Sequence, residues 1–182
     1  MPTVWSRALA LFLPAAAWAQ GASPAPAYRG FAPGVPYREF AERARALAER
    51  DVLVCTTSHR TAQLMECGVA IRDPGDGARF YLSAFVLEGR IAMVALYDSA
   101  GFGDGRGAAL VERSRRDLVR RFGRPRVVGR GRSGWEWRYG RQVVRLSWRA
   151  RGPARWVSIT LTDNDVMDRI ARYAARRAGR TP

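Results

Sequence analysis

The stretch from Phe80 to Asp98, FYLSAFVLEGRIAMVALYD, carries apolar residues at almost every position. It divides at Glu88-Gly89, where glycine supplies the positive φ that a two-residue hairpin connection requires. With Leu87 opposite Arg90, residues Phe80, Leu82, Ala84 and Val86 share a face with Ile91, Met93, Ala95 and Tyr97. The other face takes Tyr81, Ser83, Phe85 and Leu87 beside Ala92, Val94 and Leu96. Two apolar faces predict central strands covered on both sides.

The remaining periodicities fall into a regular order. Between Tyr37 and Arg50 the apolar positions Phe40, Ala41, Ala44, Leu47 and Ala48 form one helical stripe, with Glu42, Arg43, Arg45 and Glu49 outside it. Four strands are expected at about Val52–Thr57, Gln63–Ile71, Arg79–Leu87 and Arg90–Tyr97. A second helix, Ala108–Phe122, is stopped by Gly123 and Pro125. Four further strands fit Arg126–Gly129, Gly134–Tyr139, Gln142–Arg149 and Arg155–Thr162, and a last helix fits Asp163–Arg177. Pairing across Gly140-Arg141 sets Trp137 opposite Val144 and Trp135 opposite Leu146, so both Trp belong to the apolar side. The reverse side then pairs Glu136 with Arg145 and Arg138 with Val143.

The fold class expected is α+β: antiparallel sheet with helices on one face, in the order α-β4-α-β4-α. Residues 37–180 form one compact domain, and the order suggests an internal duplication into halves 37–104 and 108–180. The helix that ends in Arg-Phe-Gly-Arg-Pro125, followed by a Trp-bearing strand, is the local cue within this layout. The layout resembles the tandem α-β4 modules of secreted β-lactamase-inhibitor-like proteins and related small envelope proteins, over about residues 36–162. That resemblance implies antiparallel sheets and a protein-binding role, and it carries over no catalytic residues. The third helix departs from the pattern.

Residues 1–19 read as a signal peptide. Arg7 marks the basic region, Ala8–Trp18 the apolar region, and Ala17-Trp18-Ala19 a small-x-small cleavage site. A dozen apolar residues broken by Pro14 fall short of the ~20 that span a bilayer. The expected product is periplasmic or secreted, cut after Ala19, with a Pro/Ala/Gly-rich arm over 20–36 and no transmembrane segment. In such a compartment the two cysteines, Cys55 and Cys67, read as one disulfide between neighbouring strands. A soft-metal site built from the same pair with His59 and Met65 is the lesser alternative, because it lacks the convergent ligand set and second shell that metals need.

Charge changes the picture most. The net charge is +15, and the 31 basic residues are all Arg. GC-rich coding accounts for Arg in place of Lys more readily than for the deficit of acids. Residues 20–104 hold 9 Arg against 10 acids, whereas residues 105–182 hold 21 Arg against 6 acids. Such asymmetry gathers anions, and Arg recognises phosphate and carboxylate through paired hydrogen bonds. The candidate anion-binding residues are Arg130, Arg132, Arg138, Arg141, Arg145 and Arg149. None is assigned to the core, so reversing Arg138, Arg141 and Arg145 to Glu is expected to leave the domain folded.

Catalytic patterns are poorly supplied. Ser58-His59 are adjacent, which sends their side chains apart in extended chain. Gly103–Ala108 matches the spacing of a dinucleotide loop but follows an antiparallel hairpin, so it reads as a connector. Asp163, Asp165 and Asp168 fall in the first turns of a helix, where Thr162 or Asp163 caps and carboxylates complement the dipole. The expectation is a non-catalytic protein with no cofactor and no metal. It binds an anionic envelope partner: lipid headgroup, lipopolysaccharide or acidic glycan. A protein–protein module of inhibitor or scaffold type is the alternative, an enzyme of unknown class ranks third, and nucleic acid is not favoured.

Overall fold

A computed structural model describes residues 26–49, 52–75, 77, 79–98, 106–129, 134–151 and 154–179. The leader expected over 1–19 lies outside them, as does the whole of the Gly-rich connector between Asp98 and Arg106. The elements follow in the order α1 (Tyr37–Leu47), β1 (Val54–Thr57), β2 (Leu64–Arg72), β3 (Arg79–Leu87), β4 (Arg90–Asp98) and α2 (Arg106–Phe122). Then come β5 (Arg126–Val128), β6 (Gly134–Tyr139), β7 (Gln142–Arg151), β8 (Ala154–Asp163) and α3 (Asn164–Ala178). All eight strands form one antiparallel sheet, ordered β1-β2-β3-β4-β8-β7-β6-β5. Two four-strand meanders meet at β4 and β8, where Val94 pairs with Leu161 and Tyr97 with Ser158.

The larger core lies under α1 and α2. Phe40, Ala41 and Ala44 of α1 and Val111 and Leu118 of α2 pack on Val69, Leu82, Val94, Leu146, Ile159 and Leu161. Each alternate strand position points the same way, so one face of the sheet is apolar from β2 to β7. Helix α3 takes the opposite face. Its Val166 and Ile170 pack on Leu64, Phe85, Leu87 and Ala92. This corrects the expectation of helices on one face only. The apolar stripe of α3 needs an apolar floor, and Phe85, Leu87 and Ala92 supply one on the reverse side.

The β3–β4 register decides what continues that floor, because Met93 packs beside it. Leu87 pairs with Arg90 and Val86 with Ile91, but the next pair is Phe85 with Met93. Ala92 is therefore an extra residue, a bulge that reverses the facing of everything after it. The expected register placed Met93, Ala95 and Tyr97 with Phe80 and Leu82. Instead Val94 and Leu96 join that face, and Met93, Ala95 and Tyr97 move to the other. The turn itself is as read: Glu88 and Gly89 have φ of 51° and 74°, the paired positive values of the tightest hairpins.

The core also begins earlier than the helix. Within the segment expected as an arm, Tyr28 and Phe31 are buried, and Phe31 meets Phe40 edge-on at 5.6 Å. Tyr37 N–H donates to the Gly89 carbonyl, and Ile91 N–H to that of Val35, which fastens the segment to the β3–β4 turn. Cys55 and Cys67 are bridged, directly opposite one another on β1 and β2. Their Cα atoms are 4.0 Å apart, closer than the usual separation across a disulfide. Among the described residues no helix is long and apolar enough to cross a membrane.

Candidate anion-binding face

Helix α3 covers only part of its face. The remainder is an open concavity of about 460 Å³ over β4, β8, β7 and β6. Its position follows from what holds β6 in place from behind. Helix α2 ends at Gly123, whose φ of 78° breaks the helix and leaves terminal carbonyls without helical partners. Two aromatic side chains of β6 satisfy them. Trp137 Nε1–H donates to the Gly123 carbonyl at 2.7 Å, and Tyr139 O–H to that of Phe122 at 2.9 Å. Phe122 also packs against both rings. With Trp135, Trp137 and Tyr139 committed to the covered side, alternation sends Glu136 and Arg138 to the open one.

Glu136 pairs with Arg145 across β6 and β7, the register expected from the sequence. Its carboxylate is only 1% exposed, because two guanidinium groups lie over it. Arg138 Nε–H donates to Oε1 at 2.6 Å, while Arg145 donates to Oε2 from both Nε and a terminal nitrogen, at 3.2 and 2.5 Å. Burial alone pushes the Glu136 carboxyl up. The hydrogen bonds and charges of Arg145 and Arg138 outweigh burial and hold it below the usual carboxylate range. The arginines themselves remain 61% and 51% exposed. Arg138 commits only its Nε–H to Glu136, which leaves both terminal amino groups without a partner among the described residues.

The other candidate arginines are placed differently. Arg141 sits in the β6–β7 turn, where it faces Asp163 and Asp165 at 3.4 Å. Asp163 caps α3 by accepting from the N–H groups of Asp165 and Val166. Arg141 is thus drawn to the acidic start of that helix. Arg130 and Arg132 lie outside the described residues, as does the side chain of Arg149, whose backbone belongs to β7. The structure brings together Arg138 and Arg145, one on each carboxylate oxygen of a single buried acid.

That acid overturns one expectation. Reversing Arg138 and Arg145 to Glu would put three carboxylates around a site sealed from water. A buried charge stripped of its partners costs several kcal/mol, so that variant reports on folding, not binding.

The rest of the face was not anticipated as a site. Ser147 and Ser158 are paired across β7 and β8, Thr160 lies beside Arg145, and Thr162 beside Val143. Tyr97 pairs with Ser158, and Trp156 stands two residues along the same strand. The sequence signal was the alternation Trp156-x-Ser158-x-Thr160-x-Thr162, a polar row opposite Val157, Ile159 and Leu161. Among the described residues no group of His, Cys, Asp and Glu could hold a metal ion.

No protein-family model matches the chain, and no curated protein or solved structure matches it either.

Proposed function

We propose that this chain is a non-catalytic exported protein that binds an anionic envelope partner through the open face of its C-terminal half. One observation carries the reading: two half-exposed arginines stand on an uncovered face, held in place by a single carboxylate that they share. Two cations on one anion leave an excess positive charge, and their fixed geometry lowers the ordering cost of gripping a second anion. The excess of 21 Arg over 6 acids in residues 105–182 adds a long-range field that draws polyanions toward it. Lipid headgroups, lipopolysaccharide and acidic glycans are the polyanions of an envelope, and the leader pattern of residues 1–19 supports export to one. The matching layout of a helix and four strands on each side of the β4–β8 seam supports descent from a duplicated α-β4 unit.

Retention on immobilised dextran sulfate tests the reading. The chain should elute at a lower salt concentration once Glu136→Gln, Arg138→Gln and Arg145→Gln are combined, which removes the site while leaving no buried charge. Arg45→Gln on the exposed side of α1 changes net charge by the same amount and should elute with the unaltered chain. Equal shifts for the two would mean that net charge alone binds the column.

A protein partner is the second reading. It is favoured by Val54 on β1 and Val127 on β5, both exposed on the terminal strands of the sheet, where a partner could add a strand. Binding of that kind would persist at high salt.

A further inference from the structure

We infer that the ligand of this face is an acidic saccharide, whose carboxylate meets Arg138 and Arg145 while its rings lie over the hydroxyl-bearing strands. The inference rests on the proposed reading of the face as an anion site and narrows it to one class of ligand.

The open face is banded. On β6 and β7 it is charged, with Glu136, Arg138 and Arg145. On β7 and β8 it is a field of hydroxyls: Ser147, Ser158, Thr160 and Thr162. On β4 and the far end of β8 it is aromatic, with Tyr97 and Trp156, and Tyr81 follows as the cross-strand partner of Tyr97. Strands lie ~4.8 Å apart, so β6 to β4 spans roughly 14 Å. That length suits an extended ligand better than a lone ion.

Each band selects a chemical group. Arginine pairs with a carboxylate through two parallel N–H···O bonds. A hydroxyl both donates and accepts, which matches a polyol that does the same; a phosphodiester only accepts. Aromatic faces carry negative quadrupole density and attract the polarised C–H groups of a sugar ring. A lipid would need an apolar recess for its chains, yet among the four Ser/Thr hydroxyls the concavity offers aliphatic surface chiefly at Met93, Met167 and Val143. Nucleic acid would need one cation for nearly every phosphate it lays down. Here two arginines already share the charge of Glu136, and that carboxylate would repel a continuous row of phosphates. Sparse negative charge among many hydroxyls is the signature of a uronic-acid saccharide.

Calorimetric titration of the full mature chain with four probes tests this. They are an oligogalacturonate, the same oligomer with its carboxyls reduced to alcohols, vesicles of phosphatidylglycerol in phosphatidylcholine, and a single-stranded oligonucleotide of equal charge. The oligogalacturonate should bind tightest, and carboxyl reduction should weaken it about tenfold or more. Trp156→Ala and Thr160→Val should each weaken saccharide binding roughly threefold to tenfold and leave vesicle binding unchanged. Retention of the disulfide and of the far-ultraviolet spectrum shows that each variant is folded. If vesicles or the oligonucleotide bind more tightly than the oligogalacturonate, and Glu136→Gln/Arg138→Gln/Arg145→Gln abolishes that binding, the saccharide assignment is wrong while the anion site stands. If the reduced oligomer binds as well as the acidic one, the assignment is wrong too. If none of the charged probes binds, the reading of the face falls and takes the inference with it.

Discussion

Glu136 and Arg145 face one another across β6 and β7, and the carboxylate of the first is sealed from water by the guanidinium of the second. The pair is asymmetric: the acid is buried and the base is half in solvent. Removing the base should therefore do more damage than removing the whole cluster.

Arg145→Ala takes two hydrogen bonds away from a buried carboxylate and leaves Arg138 alone on Oε1. It should destabilise the fold by about 1–3 kcal/mol. Combining it with Glu136→Gln and Arg138→Gln should restore part of that loss, because no unpaired charge remains. Urea denaturation of the three proteins measures it. A triple variant less stable than Arg145→Ala would mean that the ion cluster is worth more than its desolvation cost.

The same cluster sets an acid limit. The Glu136 carboxyl is held below its ordinary range in the folded chain, and Glu49, bridged by Arg72 and Arg79, is shifted the same way. A depressed folded pKa stabilises above the unfolded value of ~4.3 and loses that contribution as pH falls through the folded value. Stability should be flat at neutral pH and drop steeply below about pH 4. The combined Gln variant at 136, 138 and 145 should show a shallower drop, read from thermal melts across pH. An unchanged slope would mean that Glu136 titrates normally.

Tyr28 sets the alkaline limit. Burial, with the hydrogen bond to Asp117, pushes its hydroxyl up to about 12. A raised folded pKa gives stability below the unfolded value of ~10 that is lost as pH climbs through the folded one. Stability should fall between about pH 10 and 12, and Tyr28→Phe should remove most of that fall. Ultraviolet titration of tyrosinate alongside melts would show it. Melts that fall alike in both proteins would place the alkaline weakness elsewhere.

Deleting Ala92 should be far worse than deleting a loop residue. Without the bulge, Val94 and Leu96 would rotate onto the face of α3, and Met93, Ala95 and Tyr97 into the main core. The variant is expected not to fold cooperatively, whereas removing Pro74 from the β2–β3 turn should leave a cooperative melt. Cooperative melting of the Ala92 deletion would show that β4 has another register available.

These two hairpins mark how far the sequence could be read. In β6–β7 the four expected pairs, Trp137–Val144, Trp135–Leu146, Glu136–Arg145 and Arg138–Val143, are those observed, because Gly140-Arg141 fixes the turn and apolar and charged residues alternate along β6. The pair Glu136–Arg145 and the burial of Trp137 followed from that register. In β3–β4 nearly every residue is apolar, so alternation gives no warning of an extra one, and the bulge at Ala92 went unseen. That single residue decides which face receives Tyr97 and Met93, and hence whether Met93 extends the floor for α3 and Tyr97 forms the aromatic end of the open face. The early core residues Tyr28 and Phe31 were hidden for another reason: their neighbours are Pro, Ala and Gly, whose composition resembles a tether whatever they pack against.

The disulfide should contribute in proportion to the short loop it closes. Replacing Cys55 and Cys67 together by Ala should cost ~3 kcal/mol in the chain-entropy account. Cys67 is also buried against the main core, so the loss should not be smaller than that. Denaturation under reducing and non-reducing conditions checks it, and identical midpoints would mean that the bridge does not constrain the unfolded chain.

The account depends most on where an anion lands. Arginine side-chain N–H resonances, with the indole N–H of Trp156, should be followed by NMR as an oligogalacturonate is titrated at low salt. Arg138, Arg145 and Trp156 should shift together along one binding curve, while Arg38 and Arg45 on α1 stay still. Shifts spread evenly over the arginines, or gathered on Arg113, Arg120 and Arg121 of α2, would contradict the open face as the binding site.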